Sequence, residues 1–572
     1  MRWEYAVVDE NWLKTKREEL HLPDYILRLL YNRGLYENED INRFLANDLK
    51  GFRNPFGFER MNEAIDKILK IRANNETLYI YGDYDVDGIS SAVVLTKGIK
   101  NILKHKNTTT VVNKRIYGNG FNPRIVRKIL DINSDKKIDL IITADHGSND
   151  DEYYIELKNK IKDLKIILTD HHTISKYPKN VDAFINPMRE DSTYDKSISG
   201  CCTAFLLLVK TFELLNKPFL QLYELVPFVG MSTVTDCMDM NVPYNQFIVE
   251  MALRIINSER FLYWHIFKIK LGTGIVMTIR DFGFNIGPVV NCGNALNSEE
   301  LIFNMLMETD LDKLTVLIAQ ALELNKMRKE LTKKYSKVIE ENYDFNNTST
   351  IVDMVDIKEE AIINGKIAAS IGSSYNRPTI IFGNNKTNII HGSGRGIVEG
   401  FNILIIINKI NDKDNTILNN FGGHYGALGC SIYKDKLDTF KLLFDKYSKL
   451  ELKEDVNILN TDMYVPHKQI NIKLFEEQEK YGPYGQYRQP PTYFTIMTVS
   501  RINTFGPIAK FQFVQANNKL DGIYFFNDVT VTKKNIDSFK DKLCYIAFNL
   551  ELTRFRGSYS LNIVVRRIEV IR

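Results

Sequence analysis

Three aspartates alternate through YGDYDVDGIS (Tyr81–Ser90), directly after a short apolar run. Asp83, Asp85 and Asp87 at this spacing repel one another unless a cation lies among them. Hard carboxylate oxygens suit Mg2+ or Mn2+. A calcium-binding helix–loop–helix turn also begins D-x-D-x-D-G. The twelfth position from Asp83 is Val94, however, where that loop needs a bidentate glutamate, and the preceding run reads as strand. Two more clusters follow two more apolar runs, ADHGSND (Ala144–Asp150) and LTDHH (Leu168–His172). Any one of these residues alone reads as a turn former or helix cap. Three clusters after three strands instead bring Asp85, Asp87, Asp145, Asp170, His171 and His172 to one rim. A pair of ions bridged by a carboxylate would activate water and stabilise a leaving oxygen there. Histidine as a ligand favours Mn2+ over Mg2+.

The elements that must hold this rim are legible. TLYIY (Thr77–Tyr81), TTVVN (Thr109–Asn113), DLIIT (Asp139–Thr143) and KIILT (Lys165–Thr169) are strand-like and separated by helical patterns. Strand–helix alternation predicts an α/β domain with a doubly wound parallel sheet, which binds ligands at the carboxyl ends of its strands. Downstream, TDLD (Thr309–Asp312) has capping-box form. Apolar residues then recur at Leu314, Leu317, Ala321, Leu324, Leu331, Tyr335 and Val338, with Arg328 interrupting the seam. The pattern predicts a helical rod of about 45–50 Å. A smaller mixed α/β region is expected from Thr350 to Leu450, with glycine-rich turns. After Pro490, five β-like runs predict a small barrel such as an OB-fold, and Tyr481–Pro491 reads as a turn-rich joint.

Composition bounds the rest. With 572 residues, 44% hydrophobic and 26% charged, the chain is a multidomain globular protein rather than a disordered one. No apolar run reaches membrane-spanning length, and MRWEYAVVDENWLKTK shows no secretory pattern. The six cysteines are scattered without a C-x-x-C pair, so neither a disulfide framework nor a zinc site is expected, and a cytoplasmic location fits. Tyr481–Arg572 holds 13 Lys/Arg against 6 Asp/Glu, on a body whose net charge is −3. A basic terminal module is a solvated face or a polyanion-binding one. Tyr524, Phe525, Phe526 and Phe555, beside Arg554 and Arg556, are candidate base platforms in it.

GDYDVDG, ADHG and TDHH, in this order and spacing, resemble the successive motifs of the DHH phosphoesterase superfamily, and most resemble its RecJ-type single-strand exonucleases. NKRIYGNG (Asn113–Gly120), INP (Ile185–Pro187), SGCCTAF (Ser199–Phe205), VGMSTVTD (Val229–Asp236), GSGRG (Gly392–Gly396) and GGHYGALG (Gly422–Gly429) extend the resemblance. It implies a DHH domain over 56–296 after an N-terminal extension (1–55). A connecting helical region (297–345), a DHH-associated domain (346–455), a linker (456–490) and an OB-fold-like domain (491–572) complete the order.

The resemblance further implies that Asp85, Asp87, Asp145, His171 and Asp236 hold two Mn2+ or Mg2+ ions. Asp145 would bridge them, Asp83 would be a supporting ligand, His172 would face the scissile phosphate and Asp170 would orient its neighbours. Arg115, Ser393, Arg395 and His424 would contact substrate. By residue type alone Arg115 is equally a solvated arginine, and GSGRG a plain turn. The implied activity is 5′→3′ hydrolysis of single-stranded DNA to mononucleotides by a monomer, with a helicase or single-strand-binding protein as candidate partners. Oligoribonuclease or cyclic-dinucleotide phosphodiesterase activity is the alternative within the superfamily, and a non-catalytic nucleic-acid scaffold the alternative outside it. NCGNAL (Asn291–Leu296) departs from the family's N-A-x-G-R-L joint: Ala295 stands where that pattern has arginine. His146 adds an imidazole that is either a ligand or a bystander.

Overall fold

The structure, a computed structural model, describes residues 3–5, 8–45, 60–118, 120–258, 260–272, 276–345, 347–357, 362–383, 388–398, 400–452, 459–505, 508–525, 535–555 and 558–571. The chain divides into two compact units. One comprises Asn42–Arg328 with Gly482–Gln489; the other comprises Met1–Ile41, Lys329–Tyr481 and Pro490–Arg572.

The first unit is built on five parallel strands: β1 (Leu78–Gly82), β2 (Thr108–Val112), β3 (Leu140–Ala144), β4 (Lys165–Thr169) and β5 (Ala183–Ile185). Their order is β2-β1-β3-β4-β5. Ile80 and Ile142 face one hydrophobic cluster, while Tyr79, Tyr81 and Ile141 face another on the opposite side. Burial on both faces is why these strands read as continuous apolar runs. The order reverses at β1, between β2 and β3, and this reversal opens a crevice at the strands' carboxyl ends. Helix α1 (Val86–Thr96) follows β1 and is buried along its whole length, as are the first turns of α2 (Gly200–Leu214) and most of α3 (Val226–Thr235).

The predicted rod is α4, Leu311–Asn342, of 32 residues, or about 48 Å at 1.5 Å per residue. Its start differs from the expected capping box. Asp310, not Thr309, accepts the N–H groups of Asp312 and Lys313, each at 3.0 Å. The Thr309 N–H is already taken by Glu308. The buried seam also differs. It runs through Leu314, Ile318, Ala321, Asn325, Arg328, Tyr335 and Ile339, whereas Val338 is exposed. Two polar residues occupy that seam because Asn325 Oδ1 accepts both Nε and Nη2 of Arg328.

The second unit contains two sheets that concern function. The first has β6 (Ile351–Val355), β7 (Thr379–Gly383), β8 (Ile389–Arg395), β9 (Leu418–His424) and β10 (Ala427–Tyr433), ordered β9-β10-β8-β7-β6. The other has β11 (Tyr493–Phe505), β12 (Ile508–Gln515), β13 (Asn518–Phe525), β14 (Leu543–Phe555) and β15 (Ser558–Val570). Pairing of β11 with β14 closes these five strands into the expected barrel. Tyr524 is no platform: it is fully buried in the barrel core with Phe511 and Phe513. Its neighbour Phe525 points the other way and is 39% exposed. Phe526 and Arg556, and the side chains of Arg554 and Phe555, lie outside the described residues. All six cysteines are free. Among the described residues no helix is long and apolar enough to cross a membrane.

Candidate metal centre

Each acidic residue of the rim is placed by an identifiable backbone device. Asp85 is the N-cap of α1, its Oδ1 accepting the Gly88 N–H at 3.0 Å. A Cβ at position 88 would lie 2.5 Å from Asp83 Cβ, so glycine is what lets Asp83 fold back over the helix start. Asp87 crosses to the N-terminus of α2. It accepts from the N–H groups of Gly200 (2.7 Å) and Cys201 (2.8 Å) and from the Ser232 hydroxyl. A carboxylate there gains both hydrogen bonds and the helix dipole. Asp145 leaves β3 in the left-handed region, φ +67°, which turns the chain sharply beneath its own carboxylate. Asp236 follows the last turn of α3.

His171 closes the set. Its Nδ1 donates to the Ile198 carbonyl at 2.9 Å, which leaves the Nε2 lone pair as the outward-facing ligand atom. That Nε2 is 3.2 Å from Asp145 Oδ1 and 3.5 Å from both Asp87 Oδ2 and Asp236 Oδ2. Three overlapping groups result: Asp83–Asp85–Asp145, Asp87–His171–Asp236 and Asp145–His171–His172. Within each, the ligand atoms lie within 4.8 Å of one another. Asp145 and His171 each belong to two of these groups.

The electrostatics point the same way. Burial, reinforced by Asp85, pushes the Asp83 carboxyl well above the usual range. Burial, then Asp87 and Asp85, does the same to Asp145; burial with Asp87 raises Asp85 and pushes Asp236 well up. Asp83 Oδ1 and Asp145 Oδ1 are buried without any hydrogen-bond donor. Orphaned, mutually repelling carboxylate oxygens are costly without a cation. The residues present therefore fit hard divalent ions.

Asp170 stands behind this rim. Its Oδ1 accepts from His172 Nδ1 (2.8 Å) and from the backbone N–H groups of His171 and His172. Its Oδ2 accepts the N–H and hydroxyl of Ser148. Burial alone would raise this carboxyl, but the His172 imidazole and these donors hold it below the usual range. Burial alone would lower His172, yet Asp170 raises it to about 10. His146 is a bystander. Its Nε2 donates to the Tyr81 carbonyl at 2.9 Å, and its ring packs on Tyr81 and Phe121; it is in none of the candidate metal groups among the described residues.

Of the expected substrate contacts, Arg115 is half-buried, near enough to Tyr84 to perturb its phenol, and its backbone N–H donates to the buried Glu299. Sequence reasoning missed Glu299. In SEE (Ser298–Glu300) it reads as an ordinary helix-start acid, and 184 residues separate it from Arg115. In the second unit Ser393 and Arg395 share one side of β8, with Arg395 Nη1 3.3 Å from Ser393 Oγ. A Cβ at Gly365 would meet both side chains at 2.8 Å, so the start of helix Asn364–Tyr375 abuts them. His424 ends β9 with its backbone paired to Ala427; its side chain lies outside the described residues.

Residues 77–226 match the N-terminal domain of the DHH family, residues 347–449 the DHHA1 domain and residues 461–567 the RecJ OB domain. The chain thus carries a DHH domain, a DHHA1 domain and a RecJ OB domain in that order. It is 25% identical to the single-stranded-DNA-specific exonuclease RecJ of Bacillus subtilis, over 86% of this chain and 61% of that one. It is 23% identical to the protein of that name from Haemophilus influenzae, over 95% and 96%. The chain thus spans less than two thirds of the first relative's length and nearly all of the second's. Its fold matches that of RecJ from Thermus thermophilus solved with Mn2+, at TM-score 0.78 and 18% identity, over 100% of this chain and 80% of that one. Ala295 is buried in the short helix Cys292–Ala295 and offers no cation.

Proposed function

We propose that the chain is a metal-dependent exonuclease that releases mononucleotides from single-stranded DNA in the 5′→3′ direction. The observation that carries this reading is the rim itself: five aspartates and His171 with interlocking ligand atoms, including two buried carboxylate oxygens without donors. The RecJ-type domain set supports the choice of a DNA strand as substrate.

Asp85, Asp87, Asp145, His171 and Asp236, with Asp83 in support, would hold two Mn2+ or Mg2+ ions. Such a pair, when bound, supplies Lewis-acid polarisation of a phosphate and a water of lowered pKa. The chain's own residues orient the substrate. His172, half-exposed and held protonated by Asp170, presents its Nε2–H to a non-bridging oxygen of the scissile phosphate. Arg115 holds a neighbouring phosphate. Ser393 and Arg395 grip the 5′ end, which sets the polarity. In this reading residues 56–296 carry out hydrolysis, 346–455 bind the end, and the basic barrel of 491–572 holds the strand. The protein acts as a cytoplasmic monomer, with a helicase or single-strand-binding protein as partner.

The test is degradation of 5′-labelled and 3′-labelled single-stranded DNA with Mn2+, using Asp145→Asn as control. Asparagine tolerates the left-handed backbone at this position. Immediate release of labelled mononucleotide from the 5′ end, absent in the variant, is the expected result. Release from the 3′ end first would overturn the polarity. Cleavage of very short oligomers alone would make the chain an oligonucleotide hydrolase, and strand binding without cleavage would make it a scaffold.

A further inference from the structure

The segment Gly482–Gln489 folds with the catalytic unit, and its tip is gripped unusually firmly. Gly485 and Arg488 exchange backbone hydrogen bonds at 2.9 and 3.1 Å, closing a four-residue turn around Gln486 and Tyr487. Both tip carbonyls are taken from outside: Met240 N–H donates to Gln486 O at 3.0 Å, and Asn241 Nδ2 donates to Tyr487 O at 3.0 Å. Arg488 is buried, its guanidinium 3.6 Å from the centre of the Phe44 ring and bonded to the Phe44 carbonyl at 2.8 Å. Gly485 packs so closely that a Cβ there would lie 2.8 Å from Met240 and 3.2 Å from Ile279.

Within this fixed turn Tyr487 has φ +59° and is 66% exposed. A bulky residue in the left-handed region is strained, and an anchored loop persists in that state when surrounding contacts over-determine it. Glycine would satisfy the turn without strain. The fold instead carries an exposed phenol ring at a position whose backbone favours glycine.

The anchor also leads toward the metal centre. Asn241 N–H donates to Asp239 Oδ1, and Asp239 N–H to Ser197 Oγ. The next residue, Ile198, supplies the carbonyl that orients His171. Ile279, against which Gly485 packs, begins a short helix whose Arg280 guanidinium lies 5.5 Å from the ring of Phe284, itself 73% exposed. An exposed ring held on a fixed turn is what an unpaired strand needs for a base face, and the helix against which Gly485 packs carries a second exposed ring beside an arginine.

We propose that Tyr487 is a stacking platform for one nucleobase of the single strand whose backbone enters the metal centre. This assignment rests on the functional reading above and adds a strand-contacting residue to it. Tyr487→Gly is the direct test, because glycine accepts the backbone and removes only the ring; its melting temperature is expected to equal or exceed that of the wild type. Binding is measured in EDTA with oligodeoxynucleotides carrying 2-aminopurine at successive positions from the 5′ end, together with matched strands bearing one abasic site. The wild type is expected to quench 2-aminopurine strongly at one position. Tyr487→Gly should lose that quenching and bind about five- to tenfold more weakly, while Tyr487→Phe retains both. An abasic site at that position should weaken the wild type and leave Tyr487→Gly unchanged. Undiminished binding and quenching in Tyr487→Gly would overturn the stacking assignment alone. A wild-type protein that neither binds nor cleaves single-stranded DNA would overturn the functional reading and this assignment with it.

Discussion

His172 donates from Nδ1 to Asp170 Oδ1 across 2.8 Å, and the same carboxylate oxygen accepts the backbone N–H groups of both His171 and His172. One buried aspartate thus fixes the direction of the exposed imidazole and the path of the backbone that carries His171. Asp170→Asn keeps the shape and removes the charge. Losing a partner of this kind typically costs 10–100-fold, so kcat should fall by about that factor with little change in KM. The proton gives a second readout. In metal-free protein His172 titrates at about 10 because of Asp170. In Asp170→Asn its NMR titration should move down toward the ordinary histidine value of about 6.5. An unmoved titration would show that Asp170 is only a structural brace.

Asp145 illustrates why metal removal should destabilise the folded state. Its carboxyl is pushed well up by burial and then by Asp87 and Asp85, so in EDTA at neutral pH this charge opposes folding. Asp145→Asn should therefore melt higher than the wild type without metal, while losing cleavage. Mn2+ at about a hundred times its Kd should stabilise the wild type by about 2.7 kcal/mol per site, and the variant by less. Calorimetric melts with and without Mn2+ check both signs. A variant that gains as much from Mn2+ as the wild type would remove Asp145 from the ligand set.

The glycine after the third aspartate is as necessary as the aspartates. A Cβ on Gly88 would sit 2.5–2.6 Å from Asp83 Cβ, Cα and carbonyl carbon, contacts that backbone must move to relieve. Gly88→Ala should cost about 1–3 kcal/mol and displace Asp83 and Asp85 together, abolishing cleavage in a protein that still folds. Gly422→Ala is the control, since a Cβ there meets nothing within 4 Å. Equal activity in the two variants would disprove the steric argument.

Much of this centre was legible because its residues sit at strand ends, where alternation of apolar runs marks the strand and the next polar residue marks the rim. Asp83 to Asp87, Asp145 and the two histidines are of this kind. Asp236 ends a helix and carries no such local mark; only the family resemblance singled it out. Ile198, which sets the His171 tautomer, contributes a backbone carbonyl and so leaves no trace in residue type. The barrel strands were legible, but their inward faces were not. Tyr524 and Phe525 are adjacent aromatics, and which one enters the core depends on register against Ala509 and Ile508, a long-range property. The α4 seam misled for a similar reason. Asn325 and Arg328 satisfy one another and can occupy it, whereas a hydropathy pattern assigns the seam to leucines.

His146 gives the pH prediction a sign that can be isolated. The ring is buried, its Nε2 donates to the Tyr81 carbonyl, and Nδ1 has no partner. Burial lowers its pKa to about 4, outweighing the opposing pull of Asp170. The unfolded chain protonates this imidazole near 6.5. Between about 6.5 and 4 the unfolded state therefore binds a proton that the folded state refuses, and stability falls as pH falls through that window. At pH 5 the loss amounts to about 2 kcal/mol relative to neutral pH. His146→Gln retains a donor for the Tyr81 carbonyl but cannot titrate. Urea unfolding in EDTA at pH 7.5 and 5.0 should show a smaller acid-induced loss in the variant, by about 2 kcal/mol. The clustered carboxylates titrate in both proteins and cancel in the difference. Equal losses would mean that the imidazole accepts its proton in the folded protein and is reachable from the metal rim, contrary to the packing against Tyr81 and Phe121.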